Sequence, residues 1–335
     1  MKEDGTVVAE GSGPHTNQWQ IGLDECLKRL NDIVVSAKRT AGIPTDQPLK
    51  ALGMCLSGAD NIESRKALTQ GVMTQYKDMC QHCVITCDTV GPVATVTNGS
   101  GMVLIAGTGS NCEFINPEGE NFRCGGWGHM LGDEASAFWI THYCIKCFFD
   151  TDDNLNPSPH DTTFVRDAMF KHFNVTDKMG MLEHLYSNFS KSFYSRLCIE
   201  LARGASELKD PLCCEAFTKA GHLLAQHITA LLPKIKQSQF EGEGRLKVVC
   251  VGSVWKSWEL MKQGFLQSLQ THASKGPTKL KEIILLLPKK PCTYGAAYLG
   301  AKGTGSHLKT NFEENASVFF QHVTLKAGLW CKWAR

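Results

Sequence analysis

The sequence predicts an α/β fold in two lobes, and three observations point to it. Strand-like and helix-like segments alternate along the chain, the signature of layered α/β architecture. The stretch 102–106 is a continuous apolar run that ends in glycine, as a buried strand does. At 335 residues the chain is also long for one hydrophobic core.

Each element follows from local pattern. Leu23, Cys26, Leu27, Leu30, Ile33, Val34 and Ala37 recur at helical spacing and stop before Gly42, which predicts an amphipathic helix with a glycine stop. Residues 52–58 read as strand and turn, 62–77 as helix, and 83–88 as a buried strand with Asp88 at its carboxyl end. The 102–106 strand then runs into Gly107-Thr108-Gly109-Ser110. A turn at 116–120 separates two short strands and leads to Gly125-Gly126-Trp127-Gly128. Residues 132–238 are helical in pattern, with polar breaks at 150–160 and 174–178, and form the body of the second lobe. A strand at 246–251 ends in Gly252-Ser253. Trp258, Leu260, Met261, Phe265 and Leu266 predict a helix, 283–287 another strand, and 295–301 a closely packed helix of small residues.

Composition removes several function classes. With 42% hydrophobic residues, 20% charged residues and a net charge of +2 there is no basic stripe for a polyanion, so nucleic acid is not an expected partner. The opening residues lack an apolar signal core, and no run approaches the roughly 20 apolar residues of a membrane span; a cytoplasmic protein is expected. Fifteen cysteines scattered through strand and helix patterns read as reduced thiols. Cys80-Gln81-His82-Cys83 and Cys144-Ile145-Lys146-Cys147 have zinc-type spacing but stand far apart, and core cysteines are the expectation; no metal ligand is assigned. Sequons at Asn98, Asn174, Asn188 and Asn315 are read as chance matches in such a chain.

Three segments carry chemistry. Glycines at Gly107 and Gly109 let a polyphosphate reach backbone N–H groups, with the Thr108 and Ser110 hydroxyls as further donors; the structural alternative is a tight hairpin turn. Gly303-Thr304-Gly305-Ser306 repeats the letters after a helix pattern and reads as a helix stop. Asp88, at a strand's carboxyl end, suits a base that accepts a hydroxyl proton during phosphoryl transfer, and equally suits an N-cap of the next turn. In the Gly-Gly-Trp-Gly segment, glycines would let backbone touch a sugar and Trp127 would pack nearby. Asp133 would hold its hydroxyls, or with Glu134 would simply favour a helix N-terminus. His129 reads as structural more readily than as a base.

Together, Thr16-Asn17-Gln18-Trp19, Asp88, Gly107-Thr108-Gly109-Ser110-Asn111-Cys112, Cys124-Gly125-Gly126-Trp127-Gly128-His129-Met130, Gly132-Asp133-Glu134 and Val251-Gly252-Ser253-Val254-Trp255-Lys256-Ser257-Trp258 resemble the animal N-acetyl-D-glucosamine kinase family, over about residues 3–320. The resemblance implies an actin-like ATPase (ribonuclease-H-like) fold whose two α/β lobes close over a sugar and ATP with Mg2+. It implies phosphorylation of the sugar 6-hydroxyl, in amino-sugar salvage, and admits a homodimer. Residue by residue, Asn17, Asp88, Gly126, Trp127, Gly128 and Asp133 would bind the sugar, with Asp88 as general base. Thr108, with Gly107 and Gly109, would contact the phosphates, Ser195 would lie near the nucleotide, and Gly252 and Ser253 would form the adenosine side.

The expected lobes are 1–100 and 101–320, with a divergent tail at 321–335. The family opens with a strand, a glycine-rich first phosphate loop and a return strand, and the match here begins only at the end of that return strand. The amino-terminal lobe is therefore expected to be truncated, with an unpaired sheet edge. A single lost donor to developing charge costs roughly 3 to 4 kcal/mol. Weak or absent kinase activity follows as an expectation, and a catalytically impaired sugar-binding or interaction protein is the alternative function.

Overall fold

The first helices of the chain are α1 (Gln18–Ile21) and α2 (Leu23–Thr40). The helical spacing read along α2 is realised, with Cys26, Leu27 and Leu30 buried. The chain leaves it through Gly42, whose φ of 70° is the left-handed stop that glycine adopts without penalty. Strand β1 (Leu52–Leu56), helix α3 (Ile62–Gln75), strand β2 (Cys83–Cys87) and helix α4 (Val90–Val96) follow. β1 and β2 pair in parallel with Leu52 opposite Cys83 and Leu56 opposite Cys87. Leu27 and Leu30 of α2, Leu68 and Val72 of α3, and Met54 and Ile85 of the strands share one apolar cluster. The computed structural model describes residues 1–242, 244–274 and 280–323.

Next come β3 (Gly101–Ala106), β4 (Ser110–Ile115) and β5 (Asn121–Gly125). The helical stretch holds α5 (Ala137–Asp152), α6 (Thr163–Phe173), α7 (Met181–Leu185), α8 (Lys191–Arg196), α9 (Cys198–Arg203) and the long α10 (Pro211–Leu231). It is followed by β6 (Arg245–Val251), α11 (Trp258–Ser274), β7 (Glu282–Pro288), α12 (Thr293–Gly303) and β8 (Ala316–Val323). Six strands form a sheet in the order β5-β4-β3-β6-β7-β8. β3 and β4 are joined by three residues, which requires an antiparallel hairpin.

The chain divides into two compact units. The first comprises Met1–Val103, Ile115–Glu120 and Leu286–Phe319; the second comprises Leu104–Phe114, Asn121–Leu285 and the described residues from Phe320. The late segment belongs with the first unit because α12 is built of small residues. A Cβ added at Gly53 of β1 would stand 1.7 Å from the Ala296 carbonyl oxygen, and one at Gly300 would stand 2.6 Å from the Gly53 nitrogen. Backbone lies directly on backbone there. Asn315 adds a hydrogen bond from its side-chain nitrogen to the Thr95 carbonyl at 2.9 Å. This division differs from a single boundary near residue 100, which linear reading placed there because close packing of a distant helix has no local signature. The divergent tail is described only to Val323, and the remainder of 321–335 lies outside the described residues. Among the described residues no helix is long and apolar enough to cross a membrane, and every described cysteine is a free thiol.

Candidate active site

In the first unit the site begins with strand register. Since Leu56 stands opposite Cys87, the next residues, Ser57 and Asp88, emerge side by side at the carboxyl ends of two parallel strands. Ser57 Oγ donates to Asp88 Oδ2. Asp88 is exposed. The N-cap of α4 is Thr89, without a side-chain cap bond, so the carboxylate is turned to Ser57 and solvent. Sulfur surrounds its base: burial, with Cys292, Cys87 and Asp88 nearby, pushes the Cys55 thiol up to about 12.

Asn17 and Gln18 settle on the same turn. Asn17 caps α1, its Oδ1 accepting from the Trp19 N–H at 3.0 Å. Gln18 Nε2 donates to the Gly58 carbonyl at 2.6 Å. Gly58 has φ of 88°, and a Cβ there would meet Asn17 Oδ1 at 2.8 Å. Asn17 and Asp88, both foreseen, are thus linked through Ser57 and Gly58, which were not. The signal for them was the strand-then-glycine pattern at 52–58, but a chemical role for Ser57 needed knowledge of its parallel partner.

In the second unit the Gly107–Gly109 loop is the tip of the β3–β4 hairpin. The structure shows the hairpin of the structural reading. The Gly107 N–H donates to the Gly109 carbonyl at 2.9 Å, and the Ala137 N–H at the start of α5 donates to the Gly107 carbonyl at 2.8 Å. Thr108 at the tip is exposed. Beneath it, Asp133 is 3% exposed. Its Oδ1 accepts the Ser110 N–H at 3.0 Å, and its Oδ2 pairs with Lys191 Nζ at 2.5 Å. Ser110 Oγ donates to the Glu134 carbonyl at 2.7 Å. A Cβ on Gly109 would lie 2.6 Å from Asp133 Oδ1 and 3.1 Å from Lys191 Nζ, so only glycine fits over this ion pair. Asp133 and Ala135 both have φ of 65°. A left-handed conformation at non-glycine residues costs on the order of 1–3 kcal/mol each and persists where surrounding bonds enforce it, as the Ser110 and Lys191 contacts do.

The resemblance implied a sugar contact for Asp133; here its carboxylate faces the loop and Lys191. Lys191 itself, on α8, was not foreseen from sequence, since nothing local marks it as the partner of a residue 58 positions earlier (191 − 133). Ser195 lies on the same helix, 3% exposed, with its hydroxyl donating to the Lys191 carbonyl at 2.7 Å.

Two further segments reach the loop. Gly252 has φ of 111°, and a Cβ there would strike the Ala106 carbonyl oxygen at 2.3 Å; Gly107 would meet Gly252 Cα at 3.8 Å. The Gly252-Ser253 turn therefore lies against the start of the Gly107–Gly109 loop, with Ser253 exposed. Gly126 donates its N–H to the Ser110 carbonyl at 3.1 Å, and its Cα faces the Asn111 side chain. Gly125, Gly126 and Gly128 all take positive φ. Trp127 between them is 62% exposed, with the Arg123 guanidinium 4.2 Å from its ring centre. His129 packs on Phe138 and Phe189 at 5.0 and 5.1 Å between ring centres, the structural role.

The sequence profile of the BadF/BadG/BcrA/BcrD ATPase family matches residues 1–277. An N-acetyl-D-glucosamine kinase of Dictyostelium discoideum is 24% identical over 229 residues, covering 64% of this chain and 70% of the relative. An N-acetylmuramic acid/N-acetylglucosamine kinase of Clostridium acetobutylicum is 28% identical over 123 residues, covering 37% of this chain and 40% of the relative. A solved structure from Chromobacterium violaceum, assigned as an N-acetylglucosamine kinase, superposes with a TM-score of 0.64 at 22% identity, covering 88% of this chain and 91% of that one. The resemblance read from the motifs and the α/β fold it implied are both borne out.

Proposed function

The chain belongs to the BadF/BadG/BcrA/BcrD ATPase family, and we propose that within it this protein is an ATP-dependent kinase that phosphorylates N-acetyl-D-glucosamine at the 6-hydroxyl, in amino-sugar salvage. The observation that carries this reading is the glycine tip at Gly107–Gly109, anchored from below by Asp133 and Lys191 and flanked by Gly252. A Cβ at Gly109 would collide with Asp133, and the side-chain-free glycine backbone with the exposed Thr108 hydroxyl at its tip suits a nucleotide's phosphates. Magnesium would arrive with the nucleotide and neutralise phosphate charge; no described side chain is assigned to it.

In this mechanism Asp88 accepts the proton of the sugar hydroxyl as that oxygen attacks phosphorus. Ser57 holds the carboxylate in one orientation, so the acceptor lone pair is positioned before the sugar binds. Asn17, fixed at the head of α1, and the Gly126-Trp127-Gly128 segment supply the sugar's hydrogen bonds and an aromatic surface. Asp133 positions the loop through the Ser110 N–H, while Lys191 offsets its charge beneath the phosphates. Ser195 sets the Lys191 backbone from the nucleotide side, and Ser253 offers a hydroxyl to the adenosine.

The test is ADP release on mixing the 335-residue chain with ATP and N-acetylglucosamine, with product mapping by NMR. Sugar-dependent ADP and a 6-phosphate support the reading. Sugar binding by calorimetry without ADP release would replace it with a sugar-binding protein on a kinase fold.

A further inference from the structure

Asp133 and Lys191 form an ion pair in which only one partner is buried. The Asp133 side chain is 4% exposed and the Lys191 side chain 30%. Among the described ion pairs the next most buried carboxylates, those of Asp150 and Glu282, are 15% exposed. The Asp133 carboxylate is fixed, since its Oδ1 accepts the Ser110 N–H at 3.0 Å and its backbone is set in the left-handed region with φ of 65°. Among the described residues Oδ2 accepts no hydrogen bond, because the Lys191 ammonium, 2.5 Å away, meets it out of hydrogen-bond alignment. A buried, charged oxygen with unfilled lone pairs is thus held by a contact that the lysine can withdraw.

Lys191 is the movable partner. Its backbone is pinned, the carbonyl accepting from Ser195 Oγ at 2.7 Å. Its side chain is a flexible stem ending in rotatable donors and is partly open to solvent. The ammonium also stands directly beside the loop tip, where a Cβ on Gly109 would lie 3.1 Å from Nζ. A phosphate resting on the glycine backbone at Gly107–Gly109 is therefore within the ammonium's reach. A polyphosphate carries more negative charge than one carboxylate, and it competes for the lysine directly.

We propose that Lys191 is a ligand of the nucleotide's phosphates that changes partners on binding, an inference that rests on the kinase reading above. Without nucleotide the ammonium lies against Asp133. When nucleotide arrives the ammonium turns to the phosphates, and the space it leaves beside Asp133 Oδ2 takes a sugar hydroxyl as donor. Asp133 is fixed and does not follow the lysine. Leaving a buried carboxylate without a partner is strongly unfavourable, so the exchange is favoured when a sugar hydroxyl replaces the ammonium. Each ligand then strengthens the binding of the other, and by linkage the two affinities rise by the same factor. A lysine that only stabilises the fold gives no such linkage.

Calorimetry on the full chain measures N-acetylglucosamine binding with and without saturating AMP-PNP and Mg2+, and AMP-PNP binding with and without the sugar. In the wild type each ligand is expected to tighten the other on the order of tenfold. Lys191→Ala should bind the sugar without nucleotide as tightly as the nucleotide-bound wild type does, and should bind AMP-PNP more weakly. Asp133→Asn keeps an oxygen for the Ser110 N–H and releases the lysine, so it should bind AMP-PNP more tightly in the absence of sugar. In both variants the mutual effect should vanish. The proposal is overturned if the wild type binds the two ligands independently, or if either variant keeps the wild-type coupling. Independent binding of both ligands leaves the kinase reading standing, whereas a wild type that fails to bind AMP-PNP or the sugar overturns that reading and this proposal together. Should Lys191→Ala not fold, Asp133→Asn carries the decision.

Discussion

Ser57 donates its hydroxyl to the Asp88 carboxylate, and the two meet because β1 and β2 run parallel with Leu56 opposite Cys87. Asp88→Asn keeps the shape and removes the proton acceptor. Turnover is expected to fall by about 10²- to 10⁴-fold, the usual contribution of a general base, while sugar affinity by calorimetry changes little. Ser57→Ala leaves the base but frees its rotamer. A fall in kcat on the order of tenfold with KM nearly unchanged is expected, and a change confined to KM would mark Ser57 as a sugar ligand instead.

Gly107 and Gly109 flank the same threonine but differ in what surrounds them. A Cβ at Gly107 meets only Gly252 Cα at 3.8 Å, an ordinary contact, whereas one at Gly109 lies 2.6 Å from Asp133 Oδ1. Gly107→Ala should therefore melt with the wild type and raise the KM for ATP by crowding the phosphates. Gly109→Ala should lower the melting temperature as well, since overpacking costs about 1–3 kcal/mol. Paired thermal melts and ATP titrations read the difference.

Lys191 is the counter-charge of a carboxylate that is 3% exposed. Removing one partner of a fully buried pair costs about 3–5 kcal/mol; the Lys191 side chain is 30% exposed, so Lys191→Met is expected to cost about 2 kcal/mol. Adding Asp133→Asn should restore part of that loss, visible as a urea midpoint that moves back toward the wild type. Additive losses would show that the two side chains do not act as a pair.

Trp127 stands exposed between glycines with the Arg123 guanidinium against its face. Such a contact is worth about 0.5–1 kcal/mol at an exposed site, so Trp127→Ala should leave the melting temperature nearly unchanged. Its effect belongs in sugar recognition, as a several-fold rise in the KM for N-acetylglucosamine with the KM for ATP preserved. A large loss of stability would make the ring a structural element.

Much of this was legible in the chain. α2, α3, β2 and β3 begin and end within a few residues of their periodic patterns, and the glycine stop at Gly42 and the helix end at Gly303 fall where expected. Asp88 and the Gly107–Gly109 tip follow from strand ends, which sequence marks well. The Ser57–Asp88 bond, the Asp133–Lys191 pair and the Gly252–Ala106 contact were not legible. Each joins residues far apart in the chain, and local periodicity carries no record of which distant segment will be adjacent. Asp133 illustrates the limit: its identity pointed to sugar hydroxyls, while its burial and its partners tie it to the loop.

The return of α12 onto Gly53 and α4 has a consequence during synthesis. A nascent chain that has emerged only as far as residue 280 carries β1 and α4 without the helix that closes over them. An earlier-made segment must therefore wait for a much later one before its packing is complete. Ribosome-stalled chains ending before and after residue 303 should differ sharply in protease resistance around β1, although that strand left the exit tunnel long before.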